Sequence, residues 1–338
     1  MQYIGVDYHR EYSYMTAMDE RGTILVEGRV ANDPESVGHF MDRLPEGEKS
    51  AVLEAGRNWM VMHDWLEEEA DEVHLAHPLK VKWIAESKIK TDKIDARALA
   101  HLLRCDLLPE AYVPSKEARA VKNFLRQRMF WIRLRTMVKN RISGVLDRHP
   151  EKRQNWKGSD LFGRSGQEWM KALDLPEMDR RLLDEEIELL KALEGRIEAT
   201  EENMDGISGE DERVKHLRTI PGIGGFFATL LAYEIDDVKR FGNEKKLAAY
   251  AGLVPSTYSS GGRTLHGHIT KQGNKYLRWA MVEAVWPAIR KDAGLKKFYE
   301  DHKERKGANN AKVATAKRLL TIVYRVLKDK RDYEVRAA

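Results

Sequence analysis

A small α/β sheet followed by a long, mostly helical remainder is the fold class this sequence predicts. Three observations predict it. The first hundred residues alternate strand and helix patterns, beginning with three strand signals in a meander. Beyond Pro114 a helical pattern continues to about residue 148. From 179 to about 204, Leu183, Leu190, Ile197 and Met204 recur every seven residues, with Ile187 and Leu193 filling the seam.

Taken in order, strands are expected at 2–7, 12–18 and 23–30, and the turn Asp19-Glu20-Arg21-Gly22 makes the last two a hairpin. Asn32-Asp33-Pro34-Glu35 carries an N-cap and a proline for a helix that ends near Leu44-Pro45. A strand at 49–54, a helix at 59–70, a short strand at 72–76 and a helix from about 91 to 105 follow. A meander and then strand–helix alternation is the order of a ribonuclease-H-like, or RuvC-like, sheet. In the next helix Val121, Leu125, Ile132, Val138, Ile142 and Val145 form the apolar stripe, with arginines between them. Residues 150–178 read as irregular. The heptad segment suits a coiled-coil arm or helical hairpin, or equally a bundle helix inside the monomer. Thr219-Ile220-Pro221-Gly222-Ile223-Gly224 then opens a buried helix in the manner of a helix-hairpin-helix turn. Three regions result: 1–110, a metal-binding α/β domain; 111–212, a basic helix and coiled-coil linker; and 213–338, a mostly helical C-terminal domain.

Composition excludes several classes. Of 338 residues, 42% are hydrophobic and 33% charged, which fits soluble globular domains. No run approaches the roughly 20 apolar residues of a membrane span. The single Cys105 rules out an internal disulfide framework and fits a reducing cytoplasm. Met1-Gln2-Tyr3-Ile4-Gly5 enters a strand directly, which leaves no expectation of a signal peptide. Charge is distributed in blocks: residues 116–148 hold ten Lys/Arg against Glu117 and Asp147, and residues 290–336 hold fifteen against seven acids. Such blocks suit a polyanion held by two regions, or solvated helix faces. Arg126, Arg128, Arg133 and Arg135 are the candidate contacts in the first block.

Four carboxylates carry the first chemical signal. Asp7 ends the run Tyr3-Ile4-Gly5-Val6, and Glu54 ends Ala51-Val52-Leu53. Asp92 and Asp95 lie in Lys90-Thr91-Asp92-Lys93-Ile94-Asp95-Ala96-Arg97, three apart and so on one helical face. Singly, each merely ends a strand or caps a helix. As an ordered set they suit a hard cation, Mg²⁺ or Mn²⁺, and phosphodiester chemistry. The second signal is Ser259-Ser260-Gly261-Gly262-Arg263, followed by Lys271 and Arg278. A serine beside glycines is exposed enough to reach a phosphate that these cations would neutralise, although the same tetrapeptide serves as an ordinary turn. Gly222 and Gly224 are placed to offer backbone N–H groups to a DNA phosphate, or to form a packing turn.

Tyr3-Ile4-Gly5-Val6-Asp7, Glu54-Ala55, the Thr91–Arg97 segment, Ile220-Pro221-Gly222-Ile223-Gly224, Ala251-Gly252-Leu253-Val254-Pro255, Tyr258-Ser259-Ser260-Gly261 and Lys271-Gln272-Gly273-Asn274 with Leu277-Arg278 stand in one order. In that order the chain resembles the DEDD insertion-sequence transposases related to the Piv/MooV DNA invertases, which are bridge-RNA-guided recombinases. The resemblance implies that Asp7, Glu54, Asp92 and Asp95 bind Mg²⁺ in a RuvC-like domain. It implies a nucleophilic serine at Ser260, with Ser259 the adjacent candidate. It further implies donor and target double-stranded DNA, an element-encoded guide RNA, and dimers that assemble into a tetramer in which one subunit's RuvC-like domain completes another's serine site. The runner-up reading is a RuvC-like nuclease in which water attacks and no covalent intermediate forms. An actin-like or sugar-kinase fold is disfavoured because Tyr8-His9-Arg10-Glu11, rather than a phosphate-cradling glycine, follows Asp7.

Overall fold

The computed structural model describes residues 1–84 and 91–334, and the chain divides into two compact units, Met1–Pro114 and Ser115–Ala338. Lys90 of the aspartate motif lies outside the described residues.

In the first unit, β1 (Gln2–Tyr8), β2 (Tyr12–Met18) and β3 (Ile24–Ala31) form the expected antiparallel meander. After α1 (Pro34–Asp42) come β4 (Lys49–Glu54), α2 (Trp59–Glu69) and β5 (Glu72–Ala76), with β4 parallel to β1 and β5 parallel to β4. The strand order is β3-β2-β1-β4-β5. Asp33 caps α1 by accepting from the Ser36 N–H, as its sequence indicated. Two helices extend the unit: α3 (Pro78–Ile84), which the sequence reading did not anticipate, and α4 (Asp92–Arg104). Ile4, Val6, Ala51 and Leu53 join a core with α1 and α2, whereas Val52 packs with Leu99 and Leu102 of α4. The sheet is thus covered on both faces, which explains the unbroken apolar run of β4.

Gly5 sets the spacing between β1 and α4. A Cβ there would lie 2.0 Å from the Ala96 carbonyl oxygen and 2.6 Å from the Ala100 nitrogen. Both obstacles are backbone, so they cannot swing away. Gly5→Ala must therefore push α4 off the sheet. We expect a loss of about 1–3 kcal/mol in denaturant unfolding, together with loss of activity as Asp92 and Asp95 shift. Wild-type stability in this variant would show that the helix is not held this closely.

The second unit opens with α5 (Lys116–Asp147), α6 (Pro150–Arg153), α7 (Arg164–Ala172) and α8 (Glu177–Ser208). Pairs Arg128–Glu201, Lys139–Glu194, Arg141–Glu186 and Arg148–Asp179 run in opposite senses along α5 and α8, so the two helices are antiparallel. The heptad residues Leu183 and Leu190 pack on Val138, Ile142 and Val145 of α5. The heptad seam therefore closes within the chain as a helical hairpin. Residues 150–178 are less irregular than expected: α7 buries Met170, with Leu161, Phe162 and Trp169 in the same core. Its two turns are too short to show a period amid Gly, Ser and charged residues.

There follow α9 (Glu212–Arg218), α10 (Gly225–Ile235), a 3-10 turn (Val238–Arg240), α11 (Glu244–Tyr250), the strand pair β6 (Pro255–Ser260) and β7 (Arg263–Ile269), and then α12 (Lys275–Lys291), α13 (Ala293–Lys306) and α14 (Ala308–Asp329). Ala118, Val121, Leu125 and Met129 of α5 join the core of these C-terminal helices. That packing places the basic helix, expected as part of a separate linker at 111–212, in the same unit as residues 213–338.

Candidate metal centre and serine hairpin

Asp7 and Glu54 occupy corresponding places on neighbouring parallel strands, since each follows the registered pair Val6↔Leu53. Thr91 caps α4 by accepting from the Ile94 N–H, and Asp92 and Asp95 fall in the first helical turn, where the helix dipole favours negative charge. Close packing of α4 on β1 brings this turn to the strand end. His9 Nε2 lies 3.1 Å from Asp7 Oδ2 and 3.2 Å from Asp92 Oδ1. The Tyr12 hydroxyl donates to Asp92 Oδ2 at 2.7 Å. Helix α4 is anchored on its other side, where Arg97 grips Glu27 through two hydrogen bonds of 2.8 Å and Lys93 lies 2.6 Å from the same carboxylate.

Asp7, His9 and Asp92 present ligand atoms within 4.8 Å of one another. Asp95 acts on Asp7 electrostatically. Glu54 is exposed and stands outside that ligand-distance group among the described residues. His9 and Tyr12 were missed by sequence reasoning. The available signal was the spacing Asp7–His9: residues two apart on an extended strand face the same way.

Burial, aided by the neighbouring Asp95 and Asp92 charges, holds the Asp7 carboxyl above its ordinary value of 3.8, while His9 opposes that shift. Asp92 is held low, first by the Tyr12 hydrogen bond and then by His9. A carboxyl whose folded pKa is raised loses stabilisation as pH climbs from its unfolded value through its folded one. With EDTA present, Asp7→Asn should therefore be more stable than the wild type at neutral pH. The gap should close as the pH falls toward 3.8. Denaturant midpoints across that range check this, and a gap that widens in acid would contradict it.

The donor set fits a hard divalent cation: converging carboxylate oxygens, partly desolvated and mutually repelling, with an imidazole beside them.

In the second unit, β6 and β7 form an antiparallel hairpin whose two-residue turn is Gly261–Gly262, with φ of +55° and +78°. The serine segment is thus a strand end leading into a tight turn. Ser260 pairs with Arg263 across the turn, and Ser259 pairs with Thr264. Both serines and Arg263 are exposed. His268 is exposed too, while the side chain of His266 lies outside the described set.

The hairpin base is fastened by the segments that flank it. Asn274 accepts from the Tyr276 and Leu277 N–H groups to cap α12, and its amide donates to the buried Glu234. Arg278 Nη1 donates to the Ala251 carbonyl at 2.8 Å, so it braces the base, whereas Lys271 is exposed.

Gly222 and Gly224 of the helical turn also differ in role. Gly222 has φ of +85°, and a Cβ there would lie 2.6 Å from the Ala284 carbonyl oxygen, so packing on α12 requires glycine. Gly224 is exposed at the start of α10 with open space around it.

The four arginines of α5 divide similarly. Arg126 makes two 2.9 Å bonds to Glu234, which is 1% exposed. Arg128 pairs with Glu201 and lies over the Phe226 ring. Arg133 is exposed and Arg135 half-buried. Arg126→Ala should cost on the order of 3 kcal/mol by stranding the Glu234 charge. Arg133→Glu with Arg135→Glu should leave unfolding unchanged yet weaken nucleic-acid binding and reduce its salt slope. The opposite division would reverse these assignments.

Two family profiles match the chain, one in each half. A DEDD transposase profile of the IS110 type matches residues 4–150, and a profile described as the IS116/IS110/IS902 transposase family matches residues 214–300. The chain belongs to the IS110/IS116 family of insertion-sequence transposases. A probable family 20 transposase of Pseudomonas aeruginosa is 27% identical over 281 residues, covering 78% of this chain and 80% of the relative. The transposase for insertion sequence element IS1328 of Yersinia enterocolitica is 26% identical over 292 residues, covering 83% and 82%. That of element IS1111A of Coxiella burnetii is 27% identical over 277 residues, covering 77% and 72%. The transposase is accordingly an enzyme of DNA cleavage and strand transfer. Among the described residues it has no helix long and apolar enough to cross a membrane.

Proposed function

We propose that this transposase cuts and rejoins DNA through a phosphoserine intermediate, with Ser260 as nucleophile and Asp7, Glu54, Asp92 and Asp95 holding Mg²⁺ in a RuvC-like unit. The observation that carries the reading is the convergence of Asp7 and Asp92 at one strand end, with Asp95 close enough to act on Asp7. Further support comes from the antiparallel meander continued by parallel strands, the order of a ribonuclease-H-like sheet. All four carboxylates fall within the matched range 4–150, and Ser260 falls within 214–300.

A bound divalent cation would supply Lewis acidity beside the scissile phosphate. The carboxylates hold it there, and His9 and Tyr12 orient Asp7 and Asp92. Ser260, at the tip of an exposed ribbon, approaches the phosphorus. The P–O bond to the departing strand breaks as the serine–phosphate bond forms, and a DNA hydroxyl later reverses the exchange. Arg263 neutralises phosphate charge at the tip. Serine needs activation, yet Ser256 to Lys271 contains no Asp or Glu. The carboxylate unit of another subunit fills that need in a tetramer built from dimers. Arg133, Lys271 and the α10 N-terminus at Gly224 contact nucleic acid, including a guide RNA, in the cytoplasm.

Sequencing of RNA that co-purifies with the full chain, joined to a plasmid recombination assay with and without that RNA, tests the guided reading. One element-encoded species required for recombination is expected. Full activity after nuclease treatment would remove the guide.

A further inference from the structure

Tyr258 and Leu265 are 82% and 73% exposed, large apolar side chains that no core claims. They are registered partners across the hairpin, and the next pair on the same face is Ser260 with Arg263. Side chains two apart along a strand project the same way, about 7 Å from one another. One face of the ribbon therefore presents an aromatic ring and a leucine directly behind a serine and an arginine. Burial does not explain the ring, and neither does the hairpin's attachment, which Asn274 and Arg278 provide.

Charge identifies the occupant. From Lys245 through Val282 there is no Asp or Glu, while Lys245, Lys246, Arg263, Lys271, Lys275 and Arg278 are cationic. A carboxylate-free cationic stretch with an exposed aromatic at its tip fits a polyanion that carries flat apolar faces, which is a nucleic acid. We propose that Tyr258, backed by Leu265, stacks on a nucleobase of the DNA substrate beside the phosphate that the hairpin tip engages. Tyr258 is a positioning residue: its ring fixes one base, and the registered pairing of β6 with β7 relates that base to the tip. The proposal rests on this chain acting on DNA, and does not depend on which group is the nucleophile.

The test uses the full chain and a mixed-sequence DNA oligonucleotide containing 5-iodouracil, single-stranded and as a duplex. Affinity and photocrosslinking are measured for the wild type, Tyr258→Ala, Tyr258→Phe and Ser260→Ala. Crosslinking is expected at Tyr258, because iodouracil couples to a stacked ring. Tyr258→Ala should bind DNA about tenfold more weakly and lose the crosslink. Tyr258→Phe should retain both, and Ser260→Ala should crosslink like the wild type even when it forms no adduct. Unchanged affinity in Tyr258→Ala, a crosslink mapping elsewhere, or no binding by the wild type would overturn the proposal. So would a change of oligomeric state in Tyr258→Ala with DNA binding intact, which would give this face to a second copy of the chain. Activity surviving in Ser260→Ala bears only on the nucleophile.

Discussion

Asp7→Ala, Asp92→Ala, Asp95→Ala and Glu54→Ala, each made singly, should abolish DNA strand cleavage while the protein remains folded. The expectation is strongest for Asp7 and Asp92, whose oxygens lie within one ligand set with His9. Removing either takes away a charged donor that a hard cation needs. The fold should tolerate loss of Asp7, which is partly desolvated and lies against the Asp95 and Asp92 charges, and Asp92→Ala gives up only its contacts to Tyr12 and His9. Chelation with EDTA should reproduce the loss in the wild type, and added Mg²⁺ or Mn²⁺ should restore it. Glu54 is the more exposed member, and Glu54→Ala tests whether its strand-end position contributes a ligand. Wild-type cleavage by any one variant would remove that residue from the centre. His9→Ala should weaken metal dependence without eliminating it, consistent with an orienting role.

Ser260→Ala should eliminate recombination, whereas Ser259→Ala should retain at least partial activity. The hairpin separates the two residues physically. Ser260 stands at the turn opposite Arg263, and Ser259 projects to the other face and pairs with Thr264. A phosphate held by Arg263 is therefore in reach of one hydroxyl and turned away from its neighbour. Both positions are exposed, so neither substitution should alter the thermal midpoint beyond the usual surface range of about 0.5 kcal/mol. Plasmid recombination scored beside unfolding separates chemistry from folding. Loss of activity in Ser259→Ala with Ser260→Ala active would exchange the assignments.

The N-terminal unit was highly legible in the sequence because its strands carry strong apolar runs bounded by turn residues. β2, β4 and β5 occur at the expected residues, β1 runs one residue longer, and β3 is shifted by one residue at both ends. α3 escaped because seven residues, with Leu79, Trp83 and Ile84 exposed, offer no apolar stripe. The hairpin β6–β7 was hidden for the opposite reason. Its described side chains are mostly exposed, so β6 shows no alternation between buried and solvated positions, and Gly261-Gly262 reads as a loop until the strands around it are seen. In the candidate metal centre, Asp7 and Asp92, which the structure brings together with His9, can be singled out from a strand end and a helix start. His9 is signalled only by its spacing from Asp7, and Tyr12 by nothing local, since its contact with Asp92 depends on α4 lying against the sheet. Arg126 shows the limit of reading charge blocks. A basic helix looks uniform in sequence, yet Arg126 faces a buried Glu234 more than a hundred positions away.

Mass spectrometry of the peptide left on DNA after a reaction is denatured and proteolysed tests the central claim most directly. The expected result is a nucleotide-bearing peptide modified at Ser260, formed only with a divalent cation and absent from Asp92→Ala and Ser260→Ala. A modification on Ser259, or no adduct from an enzyme that is demonstrably cutting DNA, would contradict the claim, and the second outcome would point to water attack in a RuvC-like nuclease.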